Sequence, residues 1–272
     1  MAYADDIVIL TRTKNNLVQA LSKLEKAARD KGLRINEGKT KFIEIECGSE
    51  NKHNERLEVI TEGSKYSFEK VHKFNYLGVT ITDNGEEKEE IQERIAKGTK
   101  SMGGLLHILK SKSISRKVKE RIYRTIIRPV VIYGSEAWKL NLKEKQSLEI
   151  FERKVPRKIY GGKKIGQIWE RRTNKEILEL YSEPSISSVA RVQRMRWLGH
   201  VARLNDDVTT KQALMRGITG RRKRGRPRSQ WIQMVEGDLK EVGMVDWRGQ
   251  TGNRAEWRRK CNQAMSLLGS QS

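Results

Sequence analysis

The hydrophobic pattern of the chain changes at the turn sequence Asp83-Asn84-Gly85. Before this point, short runs of β-branched and aromatic residues are separated by glycine and charged turns, a pattern that is typical of strands. One amphipathic helix is predicted among them at about 14–31, ended by Gly32. The predicted strands lie at 42–45, 57–60, 66–71 and 76–82. The first 82 residues are therefore predicted to form a small α+β unit.

Beyond this turn, apolar residues recur three and four positions apart, as they do on one face of an α-helix. Ser115 is predicted to cap a helix, Pro129 to bend one, and Thr173 to open a capping box with the glutamate three positions later. Residues 217–228 have no apolar periodicity and are predicted to be a linker. The predicted segments are an α+β unit at 1–82, an all-helical region at 83–165 and a basic helical region at 166–272.

The positive charge of the chain lies in its last two thirds. Residues 1–100 hold 18 basic and 18 acidic side chains, whereas residues 101–272 hold 38 basic and 16 acidic ones. Such a block attracts polyanions, and the commonest large polyanion in a cell is nucleic acid. The two cysteines, Cys47 and Cys261, are far apart, and the spacing of Cys and His excludes a zinc finger. With no membrane-spanning apolar run and no signal-peptide layout, an intracellular protein that is not secreted is predicted.

The sequence Tyr3-Ala4-Asp5-Asp6, followed by Ile7-Val8-Ile9-Leu10, predicts a β-hairpin with two acids at its turn. Nucleotide transfer uses two divalent metal ions roughly 4 Å apart. Mg²⁺ prefers a few carboxylate oxygens together with substrate phosphates. Adjacent acids on a rigid hairpin suit this chemistry, but an Asp-Asp pair is also common in turns that are merely solvated, and this alternative stays open.

Further motifs follow this hairpin in a fixed order. They are Gly32-Leu33-Arg34-Ile35-Asn36-Glu37-Gly38-Lys39-Thr40-Lys41, Phe74-Asn75-Tyr76-Leu77-Gly78-Val79, the segment 127–138, Arg196-Trp197-Leu198-Gly199-His200-Val201 and Gly225-Arg226-Pro227-Arg228. In this order they resemble the reverse transcriptases of non-LTR (LINE-type) retrotransposons, beginning at the Tyr-Ala-Asp-Asp hairpin. The third and later motifs resemble the thumb and the tail of those enzymes. The resemblance extends over nearly the whole chain.

This resemblance implies a partial polymerase palm, made of the hairpin, a helix and short strands, followed by an all-helical thumb and the basic region. It implies that Asp5 and Asp6 bind two Mg²⁺ ions for RNA-directed DNA synthesis in the intact parent enzyme, and that Mg²⁺ binding is weak or absent in this chain. Lys39 is implied as the proton donor to the leaving pyrophosphate, with Lys41 as the competing choice, and a solvated basic turn is the alternative for both lysines. A primer grip, for which ordinary strand packing is the alternative, is implied for Phe74, Tyr76, Leu77 and Gly78.

The family also uses a third carboxylate, on a strand that precedes the Tyr-Ala-Asp-Asp hairpin, and no such strand precedes Met1. We therefore expect a truncated polymerase that does not polymerise alone, because positioning supplies most of the catalysis in phosphoryl transfer. The implied partners are an RNA template and a DNA primer or target DNA. One alternative is a non-catalytic nucleic-acid-binding protein that acts through its thumb and tail. Another is that the isolated palm strands prevent stable folding.

Six basic residues within positions 220–228 are candidates for nucleic-acid binding: Arg221, Arg222, Lys223, Arg224, Arg226 and Arg228. Arginine forks match phosphate oxygens. The Arg-Gly-Arg-Pro sequence at 224–227 also resembles an AT-hook, which places arginines in a narrow minor groove. A nuclear import signal is the third interpretation, and it predicts the nucleus as the location. Base stacking is the alternative for five tryptophans that are mostly expected in the core: Trp169, Trp197, Trp231, Trp247 and Trp257.

Overall fold

The fold is seen in a computed structural model, which describes residues 2–45, 56–61, 63–215 and 230–270. The chain forms two compact units, Met1–Glu86 and Glu87–Ser272. The first combines small sheets with one helix, and the second is mainly helical. The predicted α+β class is therefore confirmed. Among the described residues, no helix is both long enough and apolar enough to cross a lipid bilayer.

In its described residues, the first unit contains one long helix and three small sheets. Its elements are β1 (Ala2–Tyr3), β2 (Asp6–Ile7), α1 (Lys14–Arg29), β3 (Lys41–Phe42), β4 (Arg56–Ile60), β5 (Lys65–Lys70), β6 (Lys73–Tyr76) and β7 (Val79–Thr82). Strands β1 and β2 form one antiparallel hairpin, and β6 and β7 form another. Between them, β5 pairs with β3 in parallel and with β4 antiparallel, so that the order is β3-β5-β4.

Helix α1 and the three-stranded sheet share the hydrophobic core of the first unit. Leu21 of α1 is buried together with Phe42, Val59 and Phe68 of the strands. The helix begins where the Thr13 hydroxyl accepts a hydrogen bond from the Asn16 amide, 3.2 Å away. It ends before Gly32, whose φ of 72° lies in the left-handed region that favours glycine. Cap, apolar spacing and stop agree, which explains why this helix was predictable.

Two strand predictions in this unit were wrong. The strand expected at 42–45 is reduced to the two residues of β3, because only Lys41 and Phe42 pair with β5. The single run expected at 76–82 is interrupted by a turn at Leu77 and Gly78, and its two halves belong to different strands. Both errors arose because strand length depends on pairing partners, which are not local.

The second unit, over residues 87–215 and 230–270, consists of helices and one small hairpin. Its elements are α2 (Lys88–Gly104), α3 (Leu106–Lys110), α4 (Arg116–Ile122), a π-helical turn (Tyr123–Ile127), α5 (Arg128–Val131), a 3₁₀ turn (Ser135–Ala137), α6 (Leu142–Tyr160), β8 (Lys163–Ile165), β9 (Ile168–Glu170), α7 (Asn174–Tyr181), α8 (Ile186–Ala202), α9 (Thr209–Met215), α10 (Trp231–Glu241), α11 (Trp247–Gln250) and α12 (Arg254–Ser270). The β8–β9 hairpin was not predicted, and β8 is an exception to the all-helical region expected at 83–165.

Helix α8 contributes to both hydrophobic clusters of the second unit. Its first turns bury Ile186 and Val189 with residues of α2 to α7. Its later turns bury Met195 and Leu198 with residues of α10 to α12, including Trp257. A helix that packs on nearly all sides is buried, which distinguishes α8 from the amphipathic helices around it.

The local signals for helix ends were correct in the second unit. The Ser115 hydroxyl accepts from the Val118 amide, and Thr173 and Glu176 form the predicted capping box. At Pro129, where a bend was predicted, a π-helical turn (Tyr123–Ile127) precedes α5. Proline has no N–H to donate and its ring excludes the carbonyl four residues earlier, so the helix widens there.

Candidate metal-binding hairpin and nucleic-acid interface

The β1–β2 hairpin presents the two candidate metal ligands at its turn. Tyr3 pairs with Asp6, so the two turn residues are Ala4 and Asp5. The turn thus lies one residue earlier than the sequence predicted, and Asp6 is the first residue of β2. Ala4 has a φ of 52°. Tight hairpin turns favour a positive φ at their first position because it matches the strand twist, although a Cβ makes it unfavourable by about 1–2 kcal/mol.

The hairpin is exposed on all of its residues from Ala2 to Ile7. Tyr3 and Ile7 are exposed although both are large and hydrophobic. The chain returns to the core only at Ile9, which packs against the cluster of α1 and the three-stranded sheet. The apolar strands that were expected to hold the Asp-Asp turn rigid are therefore not packed within the described part of the chain.

Asp5 and Asp6 alone do not form a complete metal site. Two magnesium ions require several carboxylate oxygens in addition to substrate phosphates. Among the described residues, no group of three or more His, Cys, Asp or Glu side chains is arranged to hold a metal ion. The described residues thus supply two exposed carboxylates and do not fit a two-metal centre on their own.

The two lysines that compete for the proton-donor role have different surroundings. Lys41 pairs with Glu69 across the β3–β5 ladder, with 2.7 Å between Nζ and Oε2. This hydrogen bond lowers the pKa of Glu69. Lys39 lies in an exposed turn, where its backbone amide donates to the Asn36 side chain. Within the described ranges, neither lysine forms an ion pair with Asp5 or Asp6, so the structure does not bring these candidate residues into contact.

The primer-grip candidates lie on the β6–β7 hairpin. Leu77 and Gly78 form its two-residue turn and have φ values of 48° and 82°. Two successive positive values define the mirror-image turn that prefers Asn-Gly, and leucine is unfavourable at its first position. The ladder is extended at its open end by the Asp83 amide, which donates to the His72 carbonyl at 2.9 Å.

The two faces of this hairpin have an unusual polarity. Phe74 pairs with Ile81 and Tyr76 with Val79, so these four side chains share one face, and none of them is buried. Thr80 and Thr82 lie on the other face and are buried. A hydrophobic face that is partly exposed to solvent is a candidate contact surface. The primer-grip role of this hairpin remains a prediction.

The basic run 221–228 lies outside the described residues. Of the five candidate tryptophans, Trp247 and Trp257 are buried, which confirms the core expectation for these two, while Trp231 is half-buried and Trp197 is exposed. Trp169 is different because 72% of it is exposed. It lies on β9, two positions before Arg171. Arg171 and Arg153 are close enough to Arg157 to lower its pKa, and the sequence did not single out any of these three arginines. The sequence could have indicated this basic region, because positions 153–175 hold nine basic side chains and one acidic side chain.

A buried carboxyl group joins three segments of the second unit. Glu152 of α6 accepts a hydrogen bond from the Tyr123 hydroxyl at 2.9 Å and another from the Ile186 amide at 2.7 Å. Burial raises the pKa of Glu152 to about 7, and the two hydrogen bonds oppose this rise. Burial, followed by the charge of Glu152, raises the pKa of Tyr123. Because the carboxyl group is enclosed, we assign it a structural role.

Residues 1–81, which include both hairpins of the first unit, match the family model of reverse transcriptase (RNA-dependent DNA polymerase). This segment is related to reverse transcriptases. The chain is also 25% identical over 265 residues to a transposon-derived protein of Caenorhabditis elegans, an alignment that covers 94% of this chain and 92% of that protein. No solved structure matches significantly. The first similarity relates residues 1–81 to reverse transcriptases, and the second extends over nearly the whole chain.

Proposed function

We propose that the chain is a nucleic-acid-binding derivative of a non-LTR (LINE-type) retrotransposon reverse transcriptase that does not polymerise alone. In this proposal the first unit corresponds to part of the palm, residues 83–165 to a thumb-like region and residues 166–272 to a basic tail with a linker at 217–228. The ligands are an RNA template with a DNA primer, or target DNA. The basic run 221–228 supports nuclear location as part of the same proposal.

One observation carries the catalytic part of this proposal. In the segment that matches the reverse transcriptase family, Asp5 and Asp6 stand on an exposed hairpin, and the described residues supply no third ligand beside them. The position of both acids supports the ancestry. The incomplete ligand set supports the lack of independent polymerisation, since two carboxylates hold a pair of divalent ions weakly.

The binding part of the proposal rests on charge. Residues 101–272 hold 38 basic and 16 acidic side chains, and this net positive charge favours association with phosphates. Binding that is dominated by phosphates weakens steeply as the salt concentration rises and depends little on sequence.

Two measurements on the same template–primer test the catalytic and the binding parts of the proposal. They are primer extension on an RNA template and a binding assay. The purified chain is assayed with Mg²⁺ or Mn²⁺, beside Asp5→Asn and the matched control Asp30→Asn, which changes an exposed aspartate at the end of α1. We expect salt-sensitive binding by all three proteins and extension by none. Extension that is lost in Asp5→Asn and retained in Asp30→Asn would show that the chain is a polymerase as it stands. Absence of binding would refute the nucleic-acid proposal.

A further inference from the structure

The β8–β9 hairpin exposes an unusual amount of apolar surface. Trp169 is 72% exposed, Ile168 69% and Ile165 51%, although each strand has only three residues. A two-stranded hairpin this short gains little stability from its own ladder. Ile165 and Ile168 pair and share one face, whereas Trp169 lies on the opposite face with Lys164. Exposed apolar side chains within a polar rim mark contact sites in soluble proteins. The hairpin therefore has the character of a contact element.

The surroundings of this hairpin are strongly positive. Positions 153–175 hold nine basic side chains against Glu170 alone. Arg157 donates to the Arg172 carbonyl at 2.9 Å and to the Asn174 side chain, both of which are uncharged. Partial desolvation, followed by the charges of Arg171 and Arg153, lowers the pKa of Arg157. Within the described part of the chain, no carboxylate forms an ion pair with these three arginines, so their mutual repulsion favours an external anion.

In the same region, the charge of one lysine is neutralised by an ion pair. Lys163, at the base of the hairpin, lies 2.6 Å from Glu176. The hydrogen bond from Lys163 is the main cause that lowers the pKa of Glu176 to about 2. This pair anchors the hairpin to α7, while the arginines beside it retain uncompensated charge.

The register of the hairpin places a cation beside the indole ring. Lys164 pairs with Trp169, and paired residues of an antiparallel ladder share a face. The ring passes close to Gly162, where an added Cβ would lie 3.5 Å from Trp169 Cε3 and 2.8 Å from the Glu170 carbonyl oxygen. An exposed aromatic ring among cations is the combination that binds single-stranded nucleic acid through base stacking and phosphate contacts.

We propose that the β8–β9 hairpin is a contact for unpaired nucleotides, in which Trp169 stacks on a base while Arg153, Arg157 and Arg171 bind the flanking phosphates. This inference rests on the proposed nucleic-acid binding and specifies a site and a ligand class for it. The net positive charge of the region selects a polyanion over an apolar protein surface. An unpaired base is required because a base within a duplex has no free face to offer to the ring.

Fluorescence anisotropy with a labelled oligouridine and with a blunt RNA duplex of the same length tests the stacking. We compare Trp169→Ala, Trp169→Phe and Trp169→Leu with the unsubstituted chain. Loss of one stacked base corresponds to about a five- to hundredfold weaker affinity. We expect this loss for the single strand in the alanine and leucine variants, near-normal affinity in the phenylalanine variant, and no change for the duplex. Because Trp169 is mostly exposed, far-UV circular dichroism is expected to be unchanged in all three.

The salt dependence of the affinity distinguishes the contribution of the Trp169 ring from that of the arginine charges. Arg171→Ala is expected to reduce the slope of log affinity against log salt by about one, because one phosphate contact is lost, while Trp169→Ala leaves this slope unchanged. If the unsubstituted chain binds the oligouridine and Trp169→Ala binds it equally well, the site is wrong although nucleic-acid binding stands. If Trp169→Leu binds as well as Trp169→Phe, the residue provides apolar area, as for a protein partner, and stacking is refuted. If the unsubstituted chain does not bind, this inference and the proposed function both fail.

Discussion

Replacing Glu152 by glutamine is expected to remove much of the pH dependence of the stability of the second unit. The Glu152 carboxyl group is buried and receives hydrogen bonds from the Tyr123 hydroxyl and the Ile186 amide. Arg128 and Glu149 are the charged groups that act on it with opposite signs. Glutamine retains both contacts, because its oxygen accepts from Ile186 while its amide donates to Tyr123, whose hydroxyl can rotate.

The magnitude follows from the pKa of Glu152, which rises from an ordinary 4.5 to about 7 in the folded chain. This difference corresponds to about 3 kcal/mol in the free energy of unfolding. Between these two pH values the folded chain binds a proton that the unfolded chain has released. The stabilisation is therefore complete below about pH 4.5 and is lost as the pH rises through about 7.

Urea unfolding of the chain and of Glu152→Gln at pH 5, 6, 7 and 8 measures this effect, with circular dichroism as the readout. We expect the variant to differ little near pH 5 and to be more stable than the unsubstituted chain by up to about 3 kcal/mol at pH 8. Glu179→Gln, which removes an exposed carboxyl group on α7, serves as the control and is expected to follow the unsubstituted chain. The reasoning is refuted if Glu152→Gln and the unsubstituted chain lose stability in parallel over this pH range.

Further substitutions test close packing and turn geometry. A Cβ at Gly199 would lie 2.1 Å from Nε1 of the buried Trp257, so Gly199→Ala is expected to cost about 1–3 kcal/mol in urea unfolding. Gly237→Ala on α10, where a Cβ meets nothing within 4 Å, is the matched control and is expected to be neutral or stabilising by up to about 1 kcal/mol. Leu77→Asn places the preferred residue before Gly78 and is expected to stabilise the first unit by about 1 kcal/mol in thermal unfolding. A lower midpoint for Leu77→Asn would show that contacts of the leucine side chain outweigh its backbone strain.

Features encoded by adjacent residues were predictable from the sequence. The caps at Ser115 and Thr173 depend on side chains that reach amides three positions away, so the local sequence contains the whole interaction. The same holds for α1, whose cap, apolar face and terminating glycine all lie within the helix or beside it. The strands β4 and β5 were also found close to their predicted positions.

Features that depend on backbone strain or distant partners were not predictable. The turn at Leu77-Gly78 puts a leucine where asparagine or glycine is normal, so the sequence did not mark it as a turn. The turn at Ala4-Asp5 similarly puts alanine at a positive φ, which displaced the candidate hairpin by one residue. The β8–β9 hairpin has strands too short to show alternation, and only Gly166 indicated a turn. The residue types of the candidate metal-binding and primer-grip hairpins were therefore predictable from the sequence, whereas the geometry of their turns was not.

The position of α8 in both hydrophobic clusters has a practical consequence for dissecting this protein. A chain shortened before α10 retains the first cluster but leaves Val192, Met195 and Leu198 facing water. A chain begun after α7 uncovers Ile186 and Val189 instead. Either truncation exposes apolar side chains of α8 to water, which favours aggregation. An assay of such a truncated protein would then measure the effect of this aggregation rather than the role of the deleted segment. The second unit is therefore best studied whole, with single side chains as the perturbation.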